Sequence, residues 1–139
     1  MIHHLRKFKI ISEPRLLELY PPFMFMGVKV TSVSSDYKEL TVHVPLRWYV
    51  KNMHGSMFGG FLCAVTDPLA PLMCEKIIPD IDVWTKKHSV EFTRPARSTI
   101  KIDVKITDDD IQKIKDMLNE VGTALYTFKY PIMDERGHV

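Results

Sequence analysis

One short run of the sequence combines the residue types that attack on a carbonyl group requires. Two adjacent glycines, Gly59 and Gly60, open an apolar segment that carries the acid Asp67, and the polar residues Asn52 and His54 precede them. Glycine lets backbone N–H groups approach a ligand closely, and a helix N-terminus favours negative charge that develops there. We therefore predict that the Gly60 N–H, helped by Gly59, stabilises an oxyanion, and that Asp67 is a general base or a nucleophile.

The Asp67 carboxyl admits two interpretations. Burial in an apolar helix would remove its hydration, which destabilises the charged form and suits base chemistry. Alternatively, Asp67-Pro68 is a helix-breaking step in which the side chain hydrogen-bonds its own backbone. We favour the functional interpretation, because charged residues rarely enter an apolar segment without a partner. At about 1.5 Å rise per residue, Asp67 lies roughly 10 Å beyond Gly60, so one helix cannot complete the site alone.

Other polar residues are candidates for binding the substrate. His54, in the loop before the glycines, is either an assisting base or a solvated histidine. Lys86 and His88 share strand parity with apolar neighbours, which turns them toward the core or its rim unless a β-bulge turns them outward. Arg94 and Arg97 suit the phosphate groups of a ligand, since the guanidinium fork matches phosphate oxygens, although ordinary surface arginines explain them equally well.

Composition excludes several classes of protein. With 139 residues, of which 45% are hydrophobic and 26% charged, we expect one domain over residues 1–139. A net charge of +2 without a basic stripe argues against nucleic-acid binding. Residues 57–65 are too short for a membrane span of roughly 20 apolar residues, and no secretory signal is recognisable, so we expect a cytoplasmic location. The spacing of Cys63 and Cys74 fits neither a redox pair nor a zinc site, and both are expected to be buried thiols.

Hydrophobic periodicity predicts the elements that position these residues. Strands are predicted at residues 24–34, 40–48, 83–94, 99–106 and 122–132. Helices are predicted at residues 14–20, 55–78 and 107–120. This order indicates an α+β fold, in which an antiparallel sheet wraps around one long central helix, residues 1–23 form a helical lead-in and residues 107–120 form a helical insertion.

Three sets of residues set the expected limits of the helices. Pro21-Pro22 should end the first helix, and Pro68 and Pro71 should kink or break the central helix near Asp67, because proline lacks an N–H and crowds the preceding turn. The acidic run 107–110 supplies an N-cap and first-turn charges, which explains it more simply than a metal site does.

The stretch Asn52-Met-His-Gly-Ser-Met-Phe-Gly-Gly60, followed by Phe-Leu-Cys-Ala-Val-Thr-Asp67, resembles the hotdog-fold thioesterases. The most similar group is typified by the phenylacetate-pathway thioesterase, whose pattern is Asn, then His-Gly-Gly, then Asp along the central helix. The run Val90-Glu-Phe-Thr-Arg-Pro-Ala-Arg97 is similar to a strand and turn of the same superfamily. The resemblance, over roughly residues 24–138, implies a hotdog fold and hydrolysis of an acyl thioester.

The resemblance also implies how the site is assembled. In hotdog dimers the glycine turn comes from one subunit and the acid from the other, which implies a homodimer or homotetramer in which Gly60 faces the partner's acid. Asn52 would orient water or substrate. The substrate would be an acyl-CoA or acyl-carrier thioester, with coenzyme A as part of the substrate and no other cofactor or metal.

The sequence departs from this group at two places. Phe58 replaces the histidine of His-Gly-Gly, so that role does not transfer; this variant resembles a less characterised branch, with Phe58 as a substrate contact. After the turn 134–137 only His138 and Val139 remain for a final strand, which could leave an exposed sheet edge. Phe58 and the two prolines keep open a non-catalytic domain that binds an acyl ligand or serves assembly. A hotdog dehydratase has little support, because its His and acid pattern is missing.

Overall fold

In a computed structural model, which describes residues 13–138, a five-stranded antiparallel sheet accompanies a central helix that is broken in two. The helices are α1 (Glu13–Glu18), α2 (Pro21–Met26), α3 (Gly59–Thr66), α4 (Leu69–Ile77) and α5 (Asp108–Val121). The strands are β1 (Lys29–Val33), β2 (Glu39–Val44), β3 (Ile100–Lys105), β4 (Ile132–Asp134) and β5 (Gly137–His138), and they follow one another in this order across the sheet. The predicted α+β class is confirmed.

The pairing of β2 with β3 defines a buried and an exposed face of the sheet. Val42 lies opposite Ile102, and both are fully buried, whereas the neighbouring Thr41 donates to Asp103 at 2.7 Å on the other face. This alternation is typical of an antiparallel sheet with one face on the core, and each buried aliphatic side chain contributes roughly 1.5–3 kcal/mol. The two parts of the central helix contribute to the same core, and their buried side chains include Leu62, Val65, Leu69 and Met73.

The chain before the sheet differs from the prediction. Pro21-Pro22 do not simply end the first helix: they begin a second one, α2, and the strand expected from residue 24 starts only at Lys29. Proline is accepted at the first helical positions because the N–H groups there have no intrahelical partner. Gly27, at φ 70°, then ends α2 in the left-handed conformation. The predicted hairpin turn after β1 is confirmed, with the Tyr37 N–H donating to the Ser34 carbonyl at 3.0 Å.

The central helix breaks where the prolines predict. Its two parts, α3 and α4, end and begin on either side of Asp67-Pro68, although α3 starts at Gly59 rather than at residue 55. Proline at position 71 cannot donate to the carbonyl four residues earlier, that of Asp67. The hydroxyl of Thr85 donates to this carbonyl instead, at 3.3 Å. A side chain from another part of the chain therefore supports the broken helix.

Two predicted strands are wrong. Residues 83–94 lie within an extended segment, residues 81–99, which forms no strand with any part of the chain that the structure describes, and of the predicted strand 122–132 only Ile132 is in a strand, as the first residue of β4. Extended residues become a strand only when a neighbour pairs with their N–H and C=O groups. The Met57 N–H does bond the Ala96 carbonyl, at 2.8 Å, but most side chains of the segment are exposed, with Trp84 at 76%.

The end of the chain follows the prediction more closely. Thr107 and Asp110 form a reciprocal capping box at the start of α5, so the acidic run is a cap, as predicted. Tyr126 donates to Asp110, and this hydrogen bond is the main reason that the pKa of the Asp110 carboxyl is lowered. The final strand is short but present: Gly137 and His138 pair with β4. Within residues 13–138, no helix has the length and apolar character needed to cross a membrane.

Candidate functional site

The side chain of Asn52 closes the loop that leads to the glycines. Its Oδ1 accepts the N–H groups of His54 at 2.9 Å and Ser56 at 3.2 Å, and its Nδ2 donates to the Ser56 hydroxyl at 2.8 Å. A primary amide has two N–H groups, so one donor remains for another partner. The main role of the Asn52 side chain is therefore to stabilise the loop, and one of its N–H groups can still bind a ligand. The side chain of His54, in the same loop, is exposed.

The glycine turn presents two unpaired backbone donors. The Phe58 N–H bonds the Val50 carbonyl at 2.8 Å, which fixes the chain at the point where α3 begins. Gly59 and Gly60 are the first two residues of α3, so their N–H groups have no intrahelical acceptor. Among the described residues no other acceptor serves them. The predicted donors are therefore available to a ligand.

Two phenylalanine rings lie beside these donors. A Cβ on Gly60 would collide with the Phe58 ring, and a Cβ on Gly59 would lie 3.1 Å from the ring of Phe92. A side chain at either position would therefore require the neighbouring ring to move, by more at Gly60 than at Gly59. Phe58 and Phe92 are each about half exposed, at 53% and 50%. Phe92 was not among the predicted site residues, although its parity with Lys86 and His88 was the signal that could have included it.

Asp67 occupies the break between α3 and α4 with a free carboxylate. Its N–H bonds the Cys63 carbonyl at 3.0 Å and its carbonyl accepts from Thr85, so the backbone is held on both sides. Within residues 13–138 no hydrogen bond or ion pair involves its carboxylate. The expected burial of this carboxylate is wrong for the single chain, because Asp67, whose backbone is still helical, lies on the same exposed helix face as Gly60 and Ala64.

Thr66, the residue before Asp67, joins three segments of the chain. Its carbonyl accepts the Tyr130 hydroxyl at 2.5 Å, and its own hydroxyl lies 2.8 Å from the Leu62 carbonyl and 3.0 Å from Nε2 of His88. A hydroxyl has one hydrogen. Because that hydrogen is needed between the Thr66 oxygen and the Leu62 carbonyl, the hydrogen toward His88 belongs to Nε2. Neutral His88 is therefore the Nε2–H tautomer, and its Nδ1 is a free acceptor.

Tyr130 connects this junction electrostatically to Asp67. Burial, and secondarily the negative charge of Asp67, raise the pKa of Tyr130 to about 12. The Tyr130 hydroxyl donates to the carbonyl of Thr66, the residue directly before Asp67. Tyr130 was not among the predicted site residues, and no local pattern marks it, because it meets Thr66 across 64 positions of the sequence.

The other predicted site residues are spread over the surface. Lys86 and Arg97 are exposed, and His88 is exposed but reaches Thr66, so the segment turns most of its polar side chains outward. The guanidinium of Arg94 lies against Gly137, where a Cβ would collide with it. The structure thus gathers His88 at the Asp67 junction, and Phe58, Gly59 and Gly60 at the other end of α3.

Comparison with solved structures identifies the fold. A Pseudomonas aeruginosa protein described as a probable thioesterase of unknown function has a TM-score of 0.76 and 21% identity, covering 91% of this chain and 85% of that one. A Haemophilus influenzae thioesterase gives a TM-score of 0.60 at 12% identity, with 94% and 85% coverage. The E. coli PaaI protein of the phenylacetic acid degradation operon gives 0.60 at 14% identity, with 88% and 79% coverage.

These likenesses confirm the hotdog fold that the sequence resemblance implied. No match was found among curated protein sequences. The family model described as a domain of unknown function, DUF4442, matches residues 11–137. Since that match spans nearly the whole sequence, the chain belongs to the DUF4442 family and has the hotdog fold.

Proposed function

We propose that this protein hydrolyses acyl thioesters, with acyl-CoA as the substrate class. In this reaction the oxygen of water bonds to the acyl carbon, the carbon–sulfur bond breaks, and the departing sulfur takes up a proton to give a thiol and a carboxylic acid. The observation that carries the proposal is the state of Asp67: its backbone is held by Cys63 and Thr85 while its carboxylate has no partner among the described residues. A fixed, unoccupied carboxylate suits a general base or nucleophile.

The unpaired N–H groups of Gly59 and Gly60 would receive the oxyanion of the tetrahedral intermediate. They lie at the opposite end of α3 from Asp67, roughly 10 Å away at the rise of an α-helix. We propose that the two groups come from different copies of the chain in a homodimer or homotetramer. Segment 81–99 supports this arrangement. It has no strand partner within the described chain, and its side chains Trp84 and Phe92 are exposed, which favours association with another chain.

The phosphates of coenzyme A would be met by Arg97, whose side chain is exposed, with Arg94 beside it. His88 and His54 would contribute to substrate binding near the two ends of the site, and Asn52 would orient water or substrate through its remaining N–H. The similar Pseudomonas protein is described as a probable thioesterase and the Haemophilus protein as a thioesterase, which supports thioester hydrolysis as the reaction class.

The test is hydrolysis of a panel of acyl-CoAs of different chain length, followed by thiol release. We expect turnover by the wild type and a loss of at least about 100-fold in kcat/KM for Asp67→Asn, which keeps the shape of the side chain and removes its basicity. Glu120→Gln changes an exposed carboxylate on α5, away from the site and from segment 81–99, and should leave kcat/KM unchanged. Absence of thiol release from every member of the panel, or equal activity of Asp67→Asn, would refute the proposal.

One observation favours a second candidate, a domain that binds an acyl ligand without hydrolysing it. The Phe58 ring lies over Gly60, in the position where the resembling group has a histidine. A ring there supplies apolar contact and no proton transfer. Binding of a non-hydrolysable acyl-CoA thioether that Asp67→Asn leaves unchanged, together with the absence of thiol release, would select this candidate.

A further inference from the structure

A cavity lies away from the glycine turn and from Asp67. It has a volume of about 360 Å³ and is formed by α1, the end of α2, the start of β1 and Arg47. This volume lies within the range of roughly 300–1,000 Å³ that small-molecule sites have. The cavity is independent of the proposed reaction, because it contains neither Asp67 nor the two glycines.

Positive charge dominates the walls of this cavity. Arg15, Lys29 and Arg47 line it, and Glu18 is the one acid among the described residues that line it. Glu18 divides its carboxylate between the Val30 N–H, at 2.9 Å, and the ammonium of Lys29, at 3.8 Å. One carboxylate therefore faces three cations, and an anion placed among them would relieve their mutual repulsion.

The two guanidinium groups have donors to spare. Arg47 donates to the neutral hydroxyl of Tyr49 at 3.4 Å, a long hydrogen bond that leaves its charge uncompensated. The guanidinium of Arg15 has no hydrogen bond or ion pair with any residue that the structure describes. Guanidinium is the preferred protein group for carboxylate and phosphate oxygens, which it can bind through two N–H groups at once.

The remaining wall is apolar and partly open. Leu19 and Met24 line the cavity and are 52% and 50% exposed, while Val28 at its base is buried. Gly27 also lines the cavity, and a Cβ there would lie 2.9 Å from the Tyr49 hydroxyl and 3.7 Å from Nε of Arg47. The absence of a side chain at this position thus keeps space beside the Arg47 guanidinium.

We propose that this cavity binds an amphipathic anion, a carboxylate or phosphate group attached to an apolar chain. The anionic group contacts Arg15 and Arg47, and the chain covers Leu19 and Met24. An uncharged apolar molecule would leave the guanidinium groups unpaired, and a small inorganic anion would leave the apolar wall exposed. Both parts of the ligand are therefore needed.

The test is calorimetric titration of the full chain with four probes that share an unbranched ten-carbon chain and differ in the head group: decanoate, decyl phosphate, decanol and decyltrimethylammonium. We expect saturable binding of decanoate, decyl phosphate or both, weaker binding of decanol, and none of the cation. Acetate and inorganic phosphate should bind weakly, since they lack the chain. The tighter of the two anionic probes distinguishes a carboxylate ligand from a phosphate ligand.

The double variant Arg15→Gln, Arg47→Gln should weaken the anionic probe by roughly ten-fold or more, because it removes two charge-assisted contacts. The control Lys115→Gln removes an exposed cation of α5 and should leave binding unchanged. Equal affinity in the double variant would place the probe elsewhere, for example at the proposed catalytic site, and would overturn the proposal. So would absence of saturable binding by both anionic probes, or equal binding of the cationic one.

Discussion

Thr66 is the residue at which the helix break, the extended segment and the chain before β4 meet. Its hydroxyl accepts the Nε2–H of His88, so His88→Ala leaves that oxygen without this donor and should cost about 1 kcal/mol of unfolding free energy. His88→Gln offers an amide N–H to the same oxygen and should cost clearly less. Urea unfolding of the two variants and the wild type at about pH 8 measures both losses. Equal losses in the two variants, or an Nδ1–H tautomer by nitrogen NMR, would contradict the assignment.

Tyr130 gives the site a predictable response to alkaline pH. The phenol titrates near pH 10 in an unfolded chain and at about 12 in the folded protein. The folded state therefore holds this proton more tightly, so its contribution to stability is complete below pH 10 and is lost as the pH rises toward 12. Two pKa units correspond to at most about 2–3 kcal/mol.

Tyr130→Phe removes that titration and also the hydrogen bond to Thr66, which should cost about 1 kcal/mol at neutral pH. The stability advantage of the wild type over the variant should therefore shrink, or reverse, between about pH 8 and pH 11.5. Urea unfolding of both proteins at the two pH values measures it, and the other tyrosines cancel in the comparison. A difference that does not change with pH would show that the phenol is not buried.

The sequence was sufficient to select Gly60, Asp67 and Asn52 as candidates, because each is an unusual residue type in its local segment. It was not sufficient to find Tyr130 or Thr66, whose contacts join residues far apart in the chain. It also led to a wrong expectation for the burial of Asp67. The apolar neighbours of that residue indicated an interior position, but they pack on one face of the helix, and Asp67 lies on the opposite, exposed face with Gly60 and Ala64.

At the scale of elements, α5 is the part whose stability depends most clearly on local sequence. Thr107→Ala removes the side-chain acceptor of the Asp110 N–H and the hydroxyl that donates to the Asp110 carboxylate, while the reciprocal bond from the Thr107 N–H remains; the change should cost about 1 kcal/mol of unfolding free energy. Thr123→Ala, just beyond the end of α5, changes an exposed threonine outside the cap and is the matched control. Chemical denaturation measures both, and equal stability of the two variants would contradict the role of the capping box.

Elements that depend on local rules were predictable, and those that depend on a distant partner were not. The cap of α5 and the break near Asp67 follow from residue types within a few positions. Residues 83–94 have the composition of a strand, but pairing requires a second backbone at the right distance, which sequence periodicity does not specify. In the chain before the sheet, the two prolines fit both the end of one helix and the start of another, and only the structure distinguishes these.

At the scale of the whole molecule, association of two copies would explain two features at once: the missing strand partner of segment 81–99 and the separation of the Gly60 N–H from the Asp67 carboxylate. Within residues 13–138 of a single chain, the N–H donors at one end of α3 and the carboxylate at the other have no partner. One copy therefore cannot apply both to one carbonyl group, whereas two copies related by a two-fold axis can, and such symmetry creates two equivalent sites. We propose that the copies associate along segment 81–99, because this segment lacks a strand partner within the described chain.

Subunit complementation tests this shared site most directly. Asp67→Asn removes the base, and Gly60→Pro removes the N–H donor in the first helical turn, where proline is tolerated. The control Gly60→Ala adds the same Cβ beside the Phe58 ring but keeps the N–H, so it separates loss of the donor from displacement of the ring. Each of the first two variants alone should be nearly inactive in acyl-CoA hydrolysis while remaining folded by circular dichroism. After equal amounts are unfolded and refolded together, half of the dimers are mixed and each holds one intact site, so activity should return to about a quarter of the wild-type value. If mixing restores no activity while the wild type survives the same treatment, base and donor belong to one chain and the shared site is wrong.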